Sequence, residues 1–166
     1  MNLNSLKKNL KKRLDGVNRL VVLGIGSELK SDDGAGMLVA TVIQAGYKKK
    51  KHTTKLKTLF GSTAPENFTG EIIKFKADHV IMIDCADMLK KPGTIGFIEP
   101  ENVGGTTFST HMLPIDIMAE YLSQSIKCTF TIIGIQPKSI DYGSTISPVV
   151  CKSVKDISSA ILSSIK

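Results

Sequence analysis

Asp33, Asp84 and His111 are the residues whose types could do chemistry together if the fold unites them. Two carboxylates and one imidazole can hold a divalent cation and leave positions open for water or a substrate. Imidazole suits nickel, zinc or iron, and carboxylate broadens that list. Two carboxylates a few ångströms apart repel each other, so they require a shared proton or a cation. Asp33 lies in Asp32-Asp33-Gly34, Asp84 follows the apolar run Val80-Ile81-Met82-Ile83, and His111 ends a Thr- and Gly-rich stretch over 104–111. Each also has a plainer reading. Asp33, and Asp32 more so, can serve only as a helix N-cap. Asp87 reads as a cap or supporting acceptor, and His111 as a hydrogen-bonded loop histidine. His52 and His79 have no supporting context.

The elements that must position these side chains are legible from periodicity. Residues 20–23 form a short apolar run ending at Gly24, the mark of a buried parallel strand. A glycine-containing loop follows through Asp33. Residues 34–44 read as a helix with Met37, Leu38, Thr41 and Val42 inward. A second strand is expected within 55–60. Thr63 and Glu66 have capping-box spacing, with Pro65 in the first turn of a helix running to about Phe75. Residues 79–83 predict a third strand ending at Asp84, and 94–98 and 129–135 predict two more. Helices are expected over 114–123 and 148–165, the latter burying Val150, Val154, Ile157, Ile161 and Ile165.

Leu6, Leu10 and Leu14 recur among lysines, so residues 1–18 read as a basic amphipathic N-terminal helix ahead of a single domain over 19–166. Docking on the domain is its default role. The alternation of strands and helices predicts an α/β fold: an open, mostly parallel twisted sheet of about five strands with helices on both faces. If the strand order begins 2-1-3, the ends of the first and third strands adjoin. Ligands bind beyond the carboxyl ends of strands at such a switch point.

Composition narrows the function classes. The 166 residues suit one domain with a real core. The formal charge is +7, and half of the 22 basic residues fall in two stretches, around 7–13 and 48–57. Without aromatic interleaving, and with only 5% aromatics and no Trp, a nucleic-acid surface is disfavoured against a solvated face. Cys85, Cys128 and Cys151 form no CxxC pair and are expected as reduced thiols of a cytoplasmic protein. No secretory signal and no membrane span are predicted. Gly24-Ile25-Gly26 is followed by Leu29 where a dinucleotide fingerprint needs glycine, and no Walker or GxSxG motif is present. The acid pair with a strand-end Asp84 also suits a receiver-like, magnesium-binding phospho-acceptor switch. In that arrangement the pair abuts the first strand, whereas here residues 25–32 intervene.

Six segments in register resemble the hydrogenase maturation endopeptidases of the hydrogenase-3 type. They are Val21-Val22-Leu23-Gly24-Ile25-Gly26-Ser27, Ser31-Asp32-Asp33-Gly34-Ala35-Gly36, Gly61-Ser62-Thr63-Ala64-Pro65-Glu66-Asn67, Ile83-Asp84-Cys85-Ala86-Asp87-Met88, Ser109-Thr110-His111-Met112-Leu113-Pro114 and Gly134-Ile135-Gln136-Pro137. The resemblance covers about residues 19–165. It implies removal of a C-terminal peptide from the large-subunit precursor of a [NiFe] hydrogenase after nickel insertion. The nickel is supplied by the substrate, with another divalent metal able to occupy the site in isolation. Asp33, Asp84 and His111 match the metal-contacting positions, and the family is grouped with aspartic endopeptidases, so Asp33 and Asp84 are the catalytic candidates. Gly24, Ser27, Gly61 and Ser62 are candidates for lining the substrate cleft. Either the metal or a carboxylate can activate the attacking water. Residues 1–18 lie outside the family's usual start, and 138–143 are expected to tune which hydrogenase is accepted. Oligomeric state is left open, as are the two alternatives, the receiver-like switch and a basic nucleic-acid-binding module.

Overall fold

The computed structural model describes residues 1–48, 51–98, 107–108, 113–143 and 145–166. Its elements run α1 (Leu3–Arg13), β1 (Arg19–Ile25), α2 (Ala35–Tyr47), β2 (Lys55–Ser62), α3 (Thr69–Phe75), β3 (His79–Asp87), β4 (Ile95–Ile98), β5 (Thr107–Phe108), α4 (Leu113–Ser125), β6 (Thr129–Ile135) and α5 (Pro148–Ser164). Two 3-10 turns, Ser31–Gly34 and Pro65–Phe68, precede α2 and α3.

The main sheet has the order β2-β1-β3-β6-β4, with β1, β2, β3 and β6 parallel and β4 antiparallel at one edge. This is the α/β fold expected, and its strand order contains the 2-1-3 arrangement. β5 pairs antiparallel with the far end of β3, at Ala86 and Asp87.

Strand alternation divides the core. Leu20, Val22, Ile81, Ile83, Cys85, Ile133 and Ile135 face α1, α2 and α5, while Val21, Leu23, Val80, Met82, Ala86 and Ile132 face α3 and α4. The central strands are therefore apolar at nearly every position, because both of their faces are covered. β2 is an edge strand with exposed and half-buried positions, and Lys57 there pairs with Glu71 at 2.6 Å. Among the described residues no helix is long and apolar enough to cross a membrane.

Two helices follow their periodicity closely. In α5, Val150, Val154, Ile157 and Ile161 are all buried. In α1, Asn2 caps the helix by accepting from the Ser5 amide at 2.9 Å, and Lys11, Lys12 and Arg13 complement the dipole at its end. Leu6, Leu10 and Leu14 are buried in the same cluster as α5, each worth about 2 kcal/mol before the entropy of ordering.

Two local expectations fail. α2 buries Met37 as expected, but its other buried positions are Ala35, Gly36, Val39, Ala40 and Ile43, whereas Leu38 is half-buried and Thr41 and Val42 are exposed. The segment is apolar on almost every side, so close backbone contact, not hydrophobicity, selects its inner face. Nor does Thr63 cap a helix: Ala64 holds the N-cap position of the second 3-10 turn, no side chain caps it, and the α-helix begins only at Thr69.

His79 is a core residue. Its ring nitrogens pair with Thr129 Oγ1 at 2.6 Å and Thr131 Oγ1 at 2.9 Å, so both are satisfied. Burial, and then the nearby Arg13 charge, lower its pKa to about 4. Above pH 6.5 the ring is neutral in both states and its contribution is complete. As pH falls from 6.5 towards 4, the unfolded chain takes up a proton that the folded chain does not, and stability falls. The expected loss is on the order of 3 kcal/mol, measured by urea unfolding at pH 7 and pH 4. His79→Gln should flatten that difference; an unchanged slope in the variant contradicts the assignment.

Candidate active site

The site forms where the carboxyl ends of β1 and β3 meet the first turn of α2. β1 pairs with β3 as far as Gly24 opposite Ile83, so Asp84 is the first β3 residue beyond that pairing. β3 does not end there as expected; it continues to Asp87, because β6 accompanies it to Cys85 and β5 takes up Ala86 and Asp87.

Three glycines allow the approach. A Cβ on Gly24 would strike the Gly36 carbonyl, and one on Gly36 would strike the carbonyls of Ile25 and Ile83. The start of α2 thus sits directly on the seam between the two strands. Gly26 has φ +116°, closed to most L side chains. A Cβ there would run into the Asp33 carbonyl and stand 3.5 Å from Asp84 Oδ1. Residues far apart in the chain are in this way packed on one glycine.

Both candidate acids are buried, each 1% exposed. Asp33 Oδ2 accepts from the Ser27 amide at 2.8 Å, and Asp84 Oδ1 accepts from the Cys85 amide at 2.8 Å. Carboxylates enclosed in this way, at the edge of a strand seam, can take a proton from water or face a cation. Among the described residues no group of three His, Cys, Asp or Glu side chains is arranged to hold a metal ion. His111, the expected third member, lies outside the described residues.

The expected cleft residues fall into two kinds. Gly24 and Gly61 are buried: Gly24 packs on α2, and Gly61 packs on Leu23 and Pro65. Ser27 is half-buried, and Ser62 is exposed with φ +48°. The Gly26 amide donates to the Ser62 carbonyl at 2.9 Å, so the loops after β1 and β2 are tied together.

Asp32 proves to be the organising residue of the loop. Its fully buried carboxylate accepts from the Lys138 amide (2.7 Å), the Ser139 amide (3.2 Å), the Ser147 amide (2.6 Å) and the Ser147 hydroxyl (3.0 Å). It therefore caps no adjacent helix. It binds the loop after β6 and the N-cap residue of the distant α5 to the turn that carries Asp33. The Cys85 thiol donates to the Asp32 carbonyl at 2.7 Å. Burial pushes that thiol's pKa well up, and the charges of Asp84, Asp33 and Asp32 push it further. A protonated, unreactive thiol beneath the acids is the result.

A second clamp went unforeseen. Gln136 Oε1 accepts from the amides of Met88 (2.7 Å) and Lys90 (3.2 Å), and its Nε2 donates to Asp87 Oδ1 at 3.1 Å. Asp87 also accepts from the Leu89 amide at 3.0 Å, the supporting role expected of it. The Gln136-Pro137 pair was the available signal.

Fold and site together describe an α/β protein with two buried acids at a topological switch point. The profile of the HycI hydrogenase maturation proteases matches residues 37–164, which includes Asp84 and His111 and begins just after Asp33. A protein of Methanocaldococcus jannaschii, provisionally named a hydrogenase maturation protease, is 36% identical over 140 residues, covering 82% of this chain and 83% of its own. The hydrogenase 3 maturation protease of Escherichia coli K12 is 28% identical over 123 residues, 74% of this chain and 75% of its own. The crystal structure of the [NiFe] hydrogenase maturation protease HycI from Thermococcus kodakarensis superposes with a TM-score of 0.82 at 27% identity, covering 94% of this chain and 97% of that one. The chain belongs to the hydrogenase maturation protease family and is a peptidase by that membership.

Asp32→Ala leaves four donors without their buried acceptor. It should lower unfolding free energy by about 3 kcal/mol in urea titrations. A loss below about 1 kcal/mol would mean that the clamp is not structural.

Proposed function

We propose that this protein is a cytoplasmic endopeptidase that removes the C-terminal peptide from a nickel-loaded [NiFe] hydrogenase large-subunit precursor. It recognises the substrate's nickel through Asp33, Asp84 and His111. The observation that carries this reading is the shared packing of Asp33 and Asp84 on Gly26, with both carboxylates buried at the strand ends.

His111 belongs to the reading through the family resemblance.

The nickel arrives as part of the substrate, so the protease need not select it. Coordination by two oxygens and a nitrogen would report that the metal is in place. Asp33 or Asp84 then serves as general base towards the attacking water at the scissile carbonyl, consistent with the grouping among aspartic endopeptidases. Ser27, whose amide holds Asp33 Oδ2, and Ser62 border the path of the incoming peptide. Leu29, Ile140 and Tyr142 are exposed apolar side chains on the loops that Asp32 joins, and they suit a role in choosing the hydrogenase.

The test is cleavage of the nickel-loaded precursor, followed by mass spectrometry of the large subunit. Wild-type protein should shorten its C-terminus, and Asp33→Asn and Asp84→Asn should each slow the reaction at least a hundredfold, on the order of a lost general base. Nickel-free precursor should remain intact. Equal cutting with and without nickel would refute the metal-recognition role; undiminished cutting by both variants would refute the acids' role.

A further inference from the structure

One cavity lies away from the acids, between the C-terminal half of α2 and the outer face of α5. Its α2 residues, Val42 and Gly46, stand roughly 10 to 16 Å along the helix from its first residue. Its volume is ≈ 440 Å³, within the range of small-ligand sites. Val42 and Leu162 line its apolar side, and His52, Lys155, Ser158 and Ser159 line its polar side.

Two buried polar atoms here have no hydrogen-bond partner among the described residues: Ser158 Oγ and His52 Nε2. Ser158 is only 2% exposed. A buried hydroxyl on a helix ordinarily donates to a backbone carbonyl of the preceding turn. Two other serines of α5 do so, Ser163 Oγ reaching the Ala160 carbonyl at 3.0 Å and Ser164 Oγ the same carbonyl at 2.7 Å, while the buried Ser153 Oγ donates to the Gly93 carbonyl at 2.7 Å. Ser158 does not, although it is more buried than Ser163 or Ser164. His52 is fixed from the other side, stacked on Tyr47 with ring centroids 4.7 Å apart and planes at 12°. The Tyr47 hydroxyl is itself anchored to the Thr54 carbonyl at 2.8 Å. Buried polar groups left unpaired are costly, and two sharing one cavity point to an occupant.

The lining selects the occupant's chemistry. Among the described residues no carboxylate lines the cavity, while one ammonium, one imidazole and three hydroxyls do, the Ser163 hydroxyl being already given to the Ala160 carbonyl. Lys155, Ser158 and Ser159 have the i, i+3, i+4 spacing that puts them on one face of α5. Lys48, at the C-cap of α2, and Lys51, beside His52, offset the negative end of that helix. Three or four donors suit the three oxygens of a phosphate better than the two of a carboxylate. The adjacent apolar wall accommodates a carbon skeleton.

We infer that this cavity binds a small phosphomonoester, its phosphate held by Ser158, Ser159, Lys155 and His52 and its carbon portion by Val42 and Leu162. The site is independent of peptide cleavage, so its test does not use that activity. Full-length protein is titrated with glycerol 3-phosphate and with inorganic phosphate at constant ionic strength, by calorimetry and thermal unfolding. Saturable binding is expected, tighter for the ester. Ser158→Ala and Lys155→Ala should each weaken it about tenfold or more. Without phosphate, Ser158→Ala should unfold at the same or a higher temperature, since it removes an unpaired buried hydroxyl. A triple Lys8→Ala, Lys11→Ala, Lys12→Ala variant on α1 should bind normally. Absent or unsaturable binding overturns the inference. So does affinity that follows the α1 lysines, or a Ser158→Ala variant that binds as wild type or is destabilised without phosphate.

Discussion

The buried charge of Asp32 is the constraint around which the active end of the molecule is arranged. A carboxylate fully withdrawn from water is tolerable only when its oxygens are met by donors, and here three amides and one hydroxyl meet them. Those donors come from the loop after β6 and from the start of α5, more than a hundred residues away in the chain. Satisfying one side chain therefore fixes the relation of the first and last parts of the fold. Asp33 is the next residue, so the same bonds that settle Asp32 determine where its neighbour stands.

The glycines act in the complementary direction. Gly24, Gly26 and Gly36 remove the side chains that would hold α2 away from the seam of β1 and β3. With the helix start drawn onto the strand ends, Asp33 and Asp84 share a wall, and the Cys85 thiol is shut beneath them against the Asp32 carbonyl. The outcome is a rigid floor: strands below, a helix turn behind, and two clamped loops at the side. A pair of carboxylates held on such a floor needs little further ordering to meet an incoming group, which is how positioning can lower a reaction barrier.

The rest of the molecule serves this arrangement at a distance. The helices on the two faces cover a sheet whose central strands are apolar on both sides, and α1 closes one flank by burying three leucines under a lysine-rich surface. The two elements with clear 3.6-residue stripes, α1 and α5, were legible because their apolar residues recur every three or four positions with polar residues on the opposite face. The central strands were legible because continuous short apolar runs bounded by glycine or aspartate have few other uses. α2 was not, since a segment apolar on nearly every side offers no contrast by which to select a face. Its orientation depends on which glycine must touch which carbonyl.

The site divides along the same line. Residue types and local order alone marked Asp33 and Asp84 as a pair worth uniting, and the α/β alternation indicated the carboxyl ends of the strands as the place where they would meet. Sequence could not separate the duties of Asp32 and Asp33, because adjacent carboxylates look alike until their surroundings differ. Nor could it find the Gln136 clamp on the turn after β3, or distinguish a core histidine at 79 with both ring nitrogens satisfied from one at 52 whose Nε2 has no hydrogen-bond partner among the described residues. Composition and periodicity decide what is buried, through the hydrophobic effect, which has no direction. Which polar atom meets which donor is directional and long-range, and only the folded chain brings those partners together.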